Sequence, residues 1–114
     1  MSTEIATEIV DVSDLEAGGL RALELHGRKL LLCRVADEIY AIEDRCPHAE
    51  APLSRGQLFG HELVCPFHGG RLDVRDGSPV EAPIRRAAGT FAVRRVAQGI
   101  EIEIPLAERK AEIP

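Results

Sequence analysis

Aromatic side chains are scarce in this 114-residue sequence, which has no tryptophan, one tyrosine and three phenylalanines. Its core must therefore be filled by Val, Ile and Leu. No stretch approaches the roughly 18 consecutive apolar residues of a membrane-spanning helix. The opening Met-Ser-Thr-Glu-Ile also lacks the basic segment and apolar block of an export signal, so a cytoplasmic chain is expected. Cysteine is limited to three residues, an odd number that gives no disulfide framework and suits a reducing compartment. The formal charge of −5 argues against a nucleic-acid partner. A Gly-rich dinucleotide loop is missing, as are a nucleophile beside a base and a carboxylate pair in an acid/base setting. The length suits one domain and not two, so residues 1–114 are expected to fold together, as a monomer.

Against these absences stand two short motifs, Cys46-Pro47-His48 and Cys65-Pro66-Phe67-His68, separated by sixteen residues. Together they supply two thiolates and two imidazoles. A cysteine and a histidine this close in a turn reach two different metal atoms more easily than one, so each loop can place its Cys on one iron and its His on the other. That is the ligand set of a [2Fe–2S] centre in which two histidines replace two cysteines on one iron. Zinc is the competing reading, because Cys2His2 is a common structural zinc set. Zinc modules, however, usually place two cysteines together and then two histidines, whereas the order here is Cys, His, Cys, His.

The flanks extend the pattern. Ala41 to Gly56, reading Ala-Ile-Glu-Asp-Arg-Cys-Pro-His-Ala-Glu-Ala-Pro-Leu-Ser-Arg-Gly, and Leu63-Val64-Cys65-Pro66-Phe67-His68-Gly69 closely resemble the two cluster loops of Rieske ferredoxins. Asp73, the Asp76-Gly77 turn and Pro83 fall where that family has a short strand, a turn and a proline loop. Weaker similarity runs from about Ile9 to Ile104. The resemblance implies an all-β fold, an antiparallel β-sandwich of stacked small sheets with a cluster-binding subdomain of two hairpin loops over about 44–84. It implies one [2Fe–2S] cluster held by Cys46, His48, Cys65 and His68, with the cysteines on the inner iron and the histidines on the outer. It also implies an electron carrier, not a catalyst, running between a flavin-dependent NAD(P)H reductase and a terminal oxygenase of the aromatic-ring dioxygenase type. Similar small Rieske proteins serve as nitrite reductase subunits, which is the second reading. Ala49, Glu50, Phe67 and Gly69 are expected to rim the histidines.

Departures from the family pattern bear on the potential. Ala51 and Phe67 stand where respiratory-chain members carry a disulfide, Gly70 where they carry serine, and Leu72 where an aromatic is usual. Two thiolates leave an oxidised [2Fe–2S] core neutral, where four would leave it at −2. Reduction is therefore easier than in an all-cysteine ferredoxin, within roughly −150 to +300 mV. The missing hydroxyls at Gly70 and Leu72 point to the lower end of that range. Charge is uneven: residues 1–50 hold eleven acids against five Lys and Arg, and residues 51–95 hold four acids against seven Arg. Arg55, Arg71, Arg75, Arg85 and Arg86 are candidates to surround the cluster end.

Most of the remaining sequence reads as short strands between turns. Strands are expected over Glu4 to Val12, Leu20 to Leu25, Arg28 to Val35, Ile39 to Glu43, Glu62 to Cys65 with Leu58-Phe59 as partner, Arg71 to Val74, Phe91 to Val96 and Ile100 to Ile104. His26-Gly27 reads as a tight hairpin turn, and Asp37-Glu38 and Gln98-Gly99 as further turns. His61 is a turn residue by the same reading. Ser13 or Asp14 is placed to cap a brief helical turn ending at Gly18-Gly19. Pro79 and Pro83 mark Gly77 to Pro83 as a loop. Cys33, inside an apolar run, reads as a buried free thiol, and the tail over 106–114 as frayed. Because metal binding couples to folding, residues 45–70 are expected to lose order without metal.

Overall fold

The computed structural model describes residues 4–47, 51–67 and 69–106. Among these the chain forms β1 (Ile5–Val10), β2 (Leu20–Leu25), β3 (Arg28–Val35), β4 (Glu38–Glu43), β5 (Gln57–Phe59), β6 (Glu62–Val64), β7 (Arg71–Asp73), β8 (Pro79–Glu81), β9 (Thr90–Phe91), β10 (Val93–Val96) and β11 (Gly99–Pro105), with a 3-10 turn at Leu53–Arg55. Three antiparallel sheets result: a base sheet ordered β1-β11-β10, a middle sheet β2-β3-β4-β9 and a distal sheet β5-β6-β7-β8.

The middle sheet is the keystone, and β3 shows why. Leu30, Leu31, Leu32 and Cys33 are all fully buried, although side chains of successive strand residues point to opposite faces. Leu30 and Leu32 pack with Phe91 and with Ile100, Ile102 and Ile104 of the base sheet. Leu31 and Cys33 pack with Leu63 and Leu72 of the distal sheet. An unbroken apolar run is thus what a strand covered on both faces requires. Each such leucine stabilises the fold by roughly 1.5–3 kcal/mol relative to an exposed one, which compensates for the shortage of aromatics.

Turn chemistry sets the registers. His26 and Gly27 both adopt positive φ, 52° and 76°, the pattern of the hairpin expected there, and Leu25 pairs with Arg28. The next turn lies one residue earlier than expected, at Ala36-Asp37. Ala36 has φ 54° and Glu38 already pairs with Val35. Core packing accounts for the shift: this register sets Leu31 opposite Ile42, and a one-residue slip would turn Ile42 away from the core.

Three further expectations are corrected. No helical turn forms after Ser13. Instead Asp11 Oδ1 accepts the Ser13 N–H at 2.9 Å, and separate turns close at Leu15 N–H to Val12 O (3.0 Å) and Gly19 N–H to Glu16 O (2.8 Å), because an Asx turn two residues upstream satisfies the backbone first. Gly77 to Pro83 is not all loop. Pro79–Glu81 forms β8, an edge strand on β7 with a bulge at Arg71/Leu72, and a proline opening an edge strand removes no needed ladder donor. Phe91 to Val96 is two strands. Phe91 pairs with Ala41 in the middle sheet, Val93 pairs with Ile102 in the base sheet, and the chain changes sheets at Ala92.

Candidate metal centre

Between β4 and β9, neighbours in the middle sheet, the chain makes one long excursion. Its ends meet where the Glu43 N–H donates to Gly89 O at 2.9 Å. Both short motifs and the whole distal sheet lie on this excursion.

The two motif loops close in the same way. Cys46 N–H donates to Ala51 O at 2.8 Å, and Cys65 N–H donates to Gly70 O at 2.7 Å. Each cysteine therefore opens a loop fastened to the carbonyl five residues on. In the second loop Gly69 N–H also returns to Cys65 O at 3.0 Å. The first is fixed from outside, by Asp44 N–H to Lys29 O at 3.0 Å and by Asp44 Oδ1, which accepts the Ser54 N–H at 2.8 Å.

Both thiols turn inward. Cys46 is 0% exposed and Cys65 1%, and both belong to one apolar cluster with Leu53, Leu63, Leu72 and Ile84. None of the three cysteines is in a disulfide. Two buried sulfurs at the roots of matching loops, with a histidine inside each loop sequence, form a donor set suited to an iron–sulfur group. His48 and His68 lie outside the described residues, as do Ala49 and Glu50 of the expected rim. Phe67 is half exposed at the loop surface. His26 and His61 are turn residues, as expected: His26 bonds Glu8 at 2.7 Å, and His61 meets Tyr40 edge-on at 5.8 Å.

Close approaches that composition does not reveal pack both loops into the excursion. A Cβ on Gly56 would lie 2.0 Å from Val64 O, immediately before Cys65. A Cβ on Gly70 would come within 2.9 Å of Ile84 Cγ1 and 3.0 Å of Pro83 Cδ. The absent serine hydroxyl at Gly70 thus has a steric cause: Pro83 and Ile84 press onto the second loop there. Sequence reasoning passed over Ile84, Gly56 and the 3-10 turn that seats Leu53, since none carries metal-binding chemistry.

Cys33 shares the cluster with the other two cysteines. Burial, aided by the nearby Asp44 charge, pushes its thiol up to about 12. The thiolate is the reactive form, so Cys33 in the folded protein is expected to resist a disulfide reagent at about pH 8. Labelling should follow the rate of unfolding in denaturant. Rapid labelling of one thiol in the iron-loaded native protein, mapped to Cys33 by mass spectrometry, would contradict this placement.

Matching thiol-rooted loops on a three-sheet antiparallel fold are the signature of one class, and the Rieske [2Fe-2S] domain matches residues 6–97: the chain belongs to that family. Its cofactor is accordingly a [2Fe–2S] cluster and not zinc. Among its relatives, the ferredoxin component of the naphthalene 1,2-dioxygenase system of Pseudomonas putida is 38% identical over 87 residues, 76% of this chain and 84% of that one. A chain from the complex of reduced oxygenase and oxidised ferredoxin in carbazole 1,9a-dioxygenase superposes with a TM-score of 0.81 at 32% identity, covering 92% of this chain and 97% of that one. The ferredoxin of carbazole 1,9a-dioxygenase from Nocardioides aromaticivorans IC177 gives 0.78 at 30% identity, covering 85% and 94%. Among the described residues no helix is long and apolar enough to cross a membrane.

Proposed function

We propose that this chain is the cytoplasmic ferredoxin of a multicomponent aromatic-ring dioxygenase, taking electrons from a flavin-dependent NAD(P)H reductase and delivering them to the terminal oxygenase. When bound, the [2Fe–2S] cluster takes up and returns one electron. Cys46 and Cys65 are its buried thiolate ligands, and His48 and His68 its imidazole ligands. The single observation that carries the assignment is the matched closure of the two loops, each a cysteine N–H bonded to the carbonyl five residues on, which presents equivalent halves of a four-ligand site.

The remaining residues hold that site and shield it. Leu53, Leu63, Leu72 and Ile84 keep water from the sulfurs. Low polarity around a cluster and the hydrogen bonds that reach it are the protein's means of setting potential. Half-exposed Phe67 offers apolar contact to a docking protein, as expected of a small transient interface. No residue of the chain is asked to do bond chemistry, so it is a carrier and the oxygenase is the catalyst.

The test is an EPR spectrum of purified, dithionite-reduced protein, with iron, sulfide and zinc measured on the same sample. The expected result is a rhombic signal and two irons with two sulfides per chain. A colourless, EPR-silent protein with one zinc would overturn the proposal.

A further inference from the structure

The arginines of the excursion fall into two groups. Arg71 and Arg75 are neutralised on the distal sheet: Arg71 pairs with Glu62 at 3.1 Å and Glu81 at 3.3 Å, and Arg75 with Asp73 at 2.7 Å. Exposed Arg55, Arg85 and Arg86 have no carboxylate partner among the described residues. Arg86 instead donates to the carbonyl of Pro47, the residue after Cys46, at 3.2 Å.

Three shallow hollows connect these side chains. The first is walled by Arg28, Lys29, Arg45 and Arg55. It shares Glu43 and Arg45 with the second, and the second shares Pro47 and Arg86 with the third, which Arg85 and Pro83 complete. The carboxylates along this band are Glu43, already 3.3 Å from Arg28, and Asp44, which accepts the Ser54 N–H. Arg45 apart, five cations (Arg28, Lys29, Arg55, Arg85 and Arg86) against two carboxylates give the described part of the band a positive excess on a chain whose formal charge is −5.

We propose that this band, running past the Cys46 loop, is the docking surface for a protein redox partner that presents carboxylates to it. The proposal rests on the electron-carrier reading above. Screening supports it. At physiological salt the Debye length is about 8 Å, so a partner at the Cys46 loop senses the adjacent arginines more than the acids of distant strands. Charge of one sign around a contact raises the encounter rate with the opposite sign. Net charge alone would assign this protein a basic partner, and the local field reverses that assignment.

The experiment uses small oxidants of opposite charge on the dithionite-reduced holoprotein in stopped flow. Ferricyanide, an anion, takes one electron from the protein and becomes ferrocyanide; tris(phenanthroline)cobalt(III), a cation, takes one and becomes cobalt(II). The ferricyanide rate is expected to fall by about twofold or more as ionic strength rises from about 0.1 to 1 M, over which the Debye length shortens from about 10 to about 3 Å and only charges next to the contact are felt. Poly-L-glutamate should inhibit that reaction saturably. Arg85→Glu with Arg86→Glu should reverse the salt slope and abolish the inhibition, and Arg85→Lys with Arg86→Lys should preserve both. A ferricyanide rate that rises with salt in the wild type, with a cobalt rate that falls, would show that the net charge governs and overturn the proposal, even if the charge-reversed variant failed to fold. A protein without iron would show no colour to bleach before any oxidant is added, which removes the carrier reading and this proposal with it.

Discussion

Cys46→Ser and Cys65→Ser are each expected to leave the purified protein nearly colourless, with iron per chain reduced at least about tenfold, since metal affinity depends on deprotonated ligands and serine is not deprotonated at neutral pH. Each cysteine opens a loop whose backbone it also ties, through its N–H, to Ala51 or Gly70. The substitution keeps that backbone bond and removes the thiolate, so a loss of iron isolates the sulfur's role. A second cost comes from burial: a hydroxyl at a position 0% or 1% exposed costs about 1–3 kcal/mol unless it finds a partner. Cys33→Ala is the control from the same apolar cluster. It should retain the wild-type iron content, while serine at either loop position should not. Iron and sulfide assays on the three variants decide the matter; full iron in Cys46→Ser or Cys65→Ser would mean that the ligand assignment is wrong.

Gly56→Ala is expected to destabilise the holoprotein by about 2–4 kcal/mol and to lower its iron loading, although Gly56 is not a ligand. The added methyl would sit 2.0 Å from Val64 O and 3.2 Å from Leu53 O, and both are backbone atoms that cannot rotate away. Relief requires the end of β6 to separate from the 3-10 turn, and that movement parts the two cysteine loops. Gly56 has φ −84°, a value any residue adopts, so the whole cost is steric. Gly27→Ala is the complementary case. Its φ is 76° but nothing lies within 4 Å of the added carbon, so only a local backbone penalty of about 1 kcal/mol is expected. Denaturant titration of both variants, with iron measured alongside, separates the two mechanisms. Equal stabilities would show that the contact at Val64 relaxes freely.

The legible parts of the fold were those where chemistry and geometry coincide in adjacent residues. The His26-Gly27 hairpin, the buried run ending at Cys33 and the paired Cys-x-His and Cys-x-x-His motifs each declare themselves over a few positions. Relations between distant residues did not. Alternation identifies Phe91 to Val96 as extended chain but contains no signal that Ala92 passes it from one sheet to another, since both halves keep the same period. The steric cause of Gly70 was invisible because it depends on Ile84 and Pro83 pressing on it from another part of the excursion. The arginines posed the same difficulty. Counting placed five around the cluster end, and only the ion pairs of Arg71 and Arg75 separate those spent on the distal sheet from those left exposed near Pro47.

The hydrogen bond from Glu43 to Gly89 carries an implication for how such a chain can be altered. The excursion leaves and re-enters the middle sheet through adjoining rungs, so its insertion points lie side by side whatever happens between them. Loop-closure cost grows by only about 0.6 kcal/mol for each doubling of length, and the base and middle sheets bury much of their apolar surface against each other. The redox-bearing segment is thus attached in the manner of a graft. Its turns can be lengthened and its exposed side chains recharged so long as Leu63, Leu72 and Ile84 go on covering Leu31, Cys33 and Ile42 of the middle sheet, so the surface can change while the scaffold beneath it stays constant.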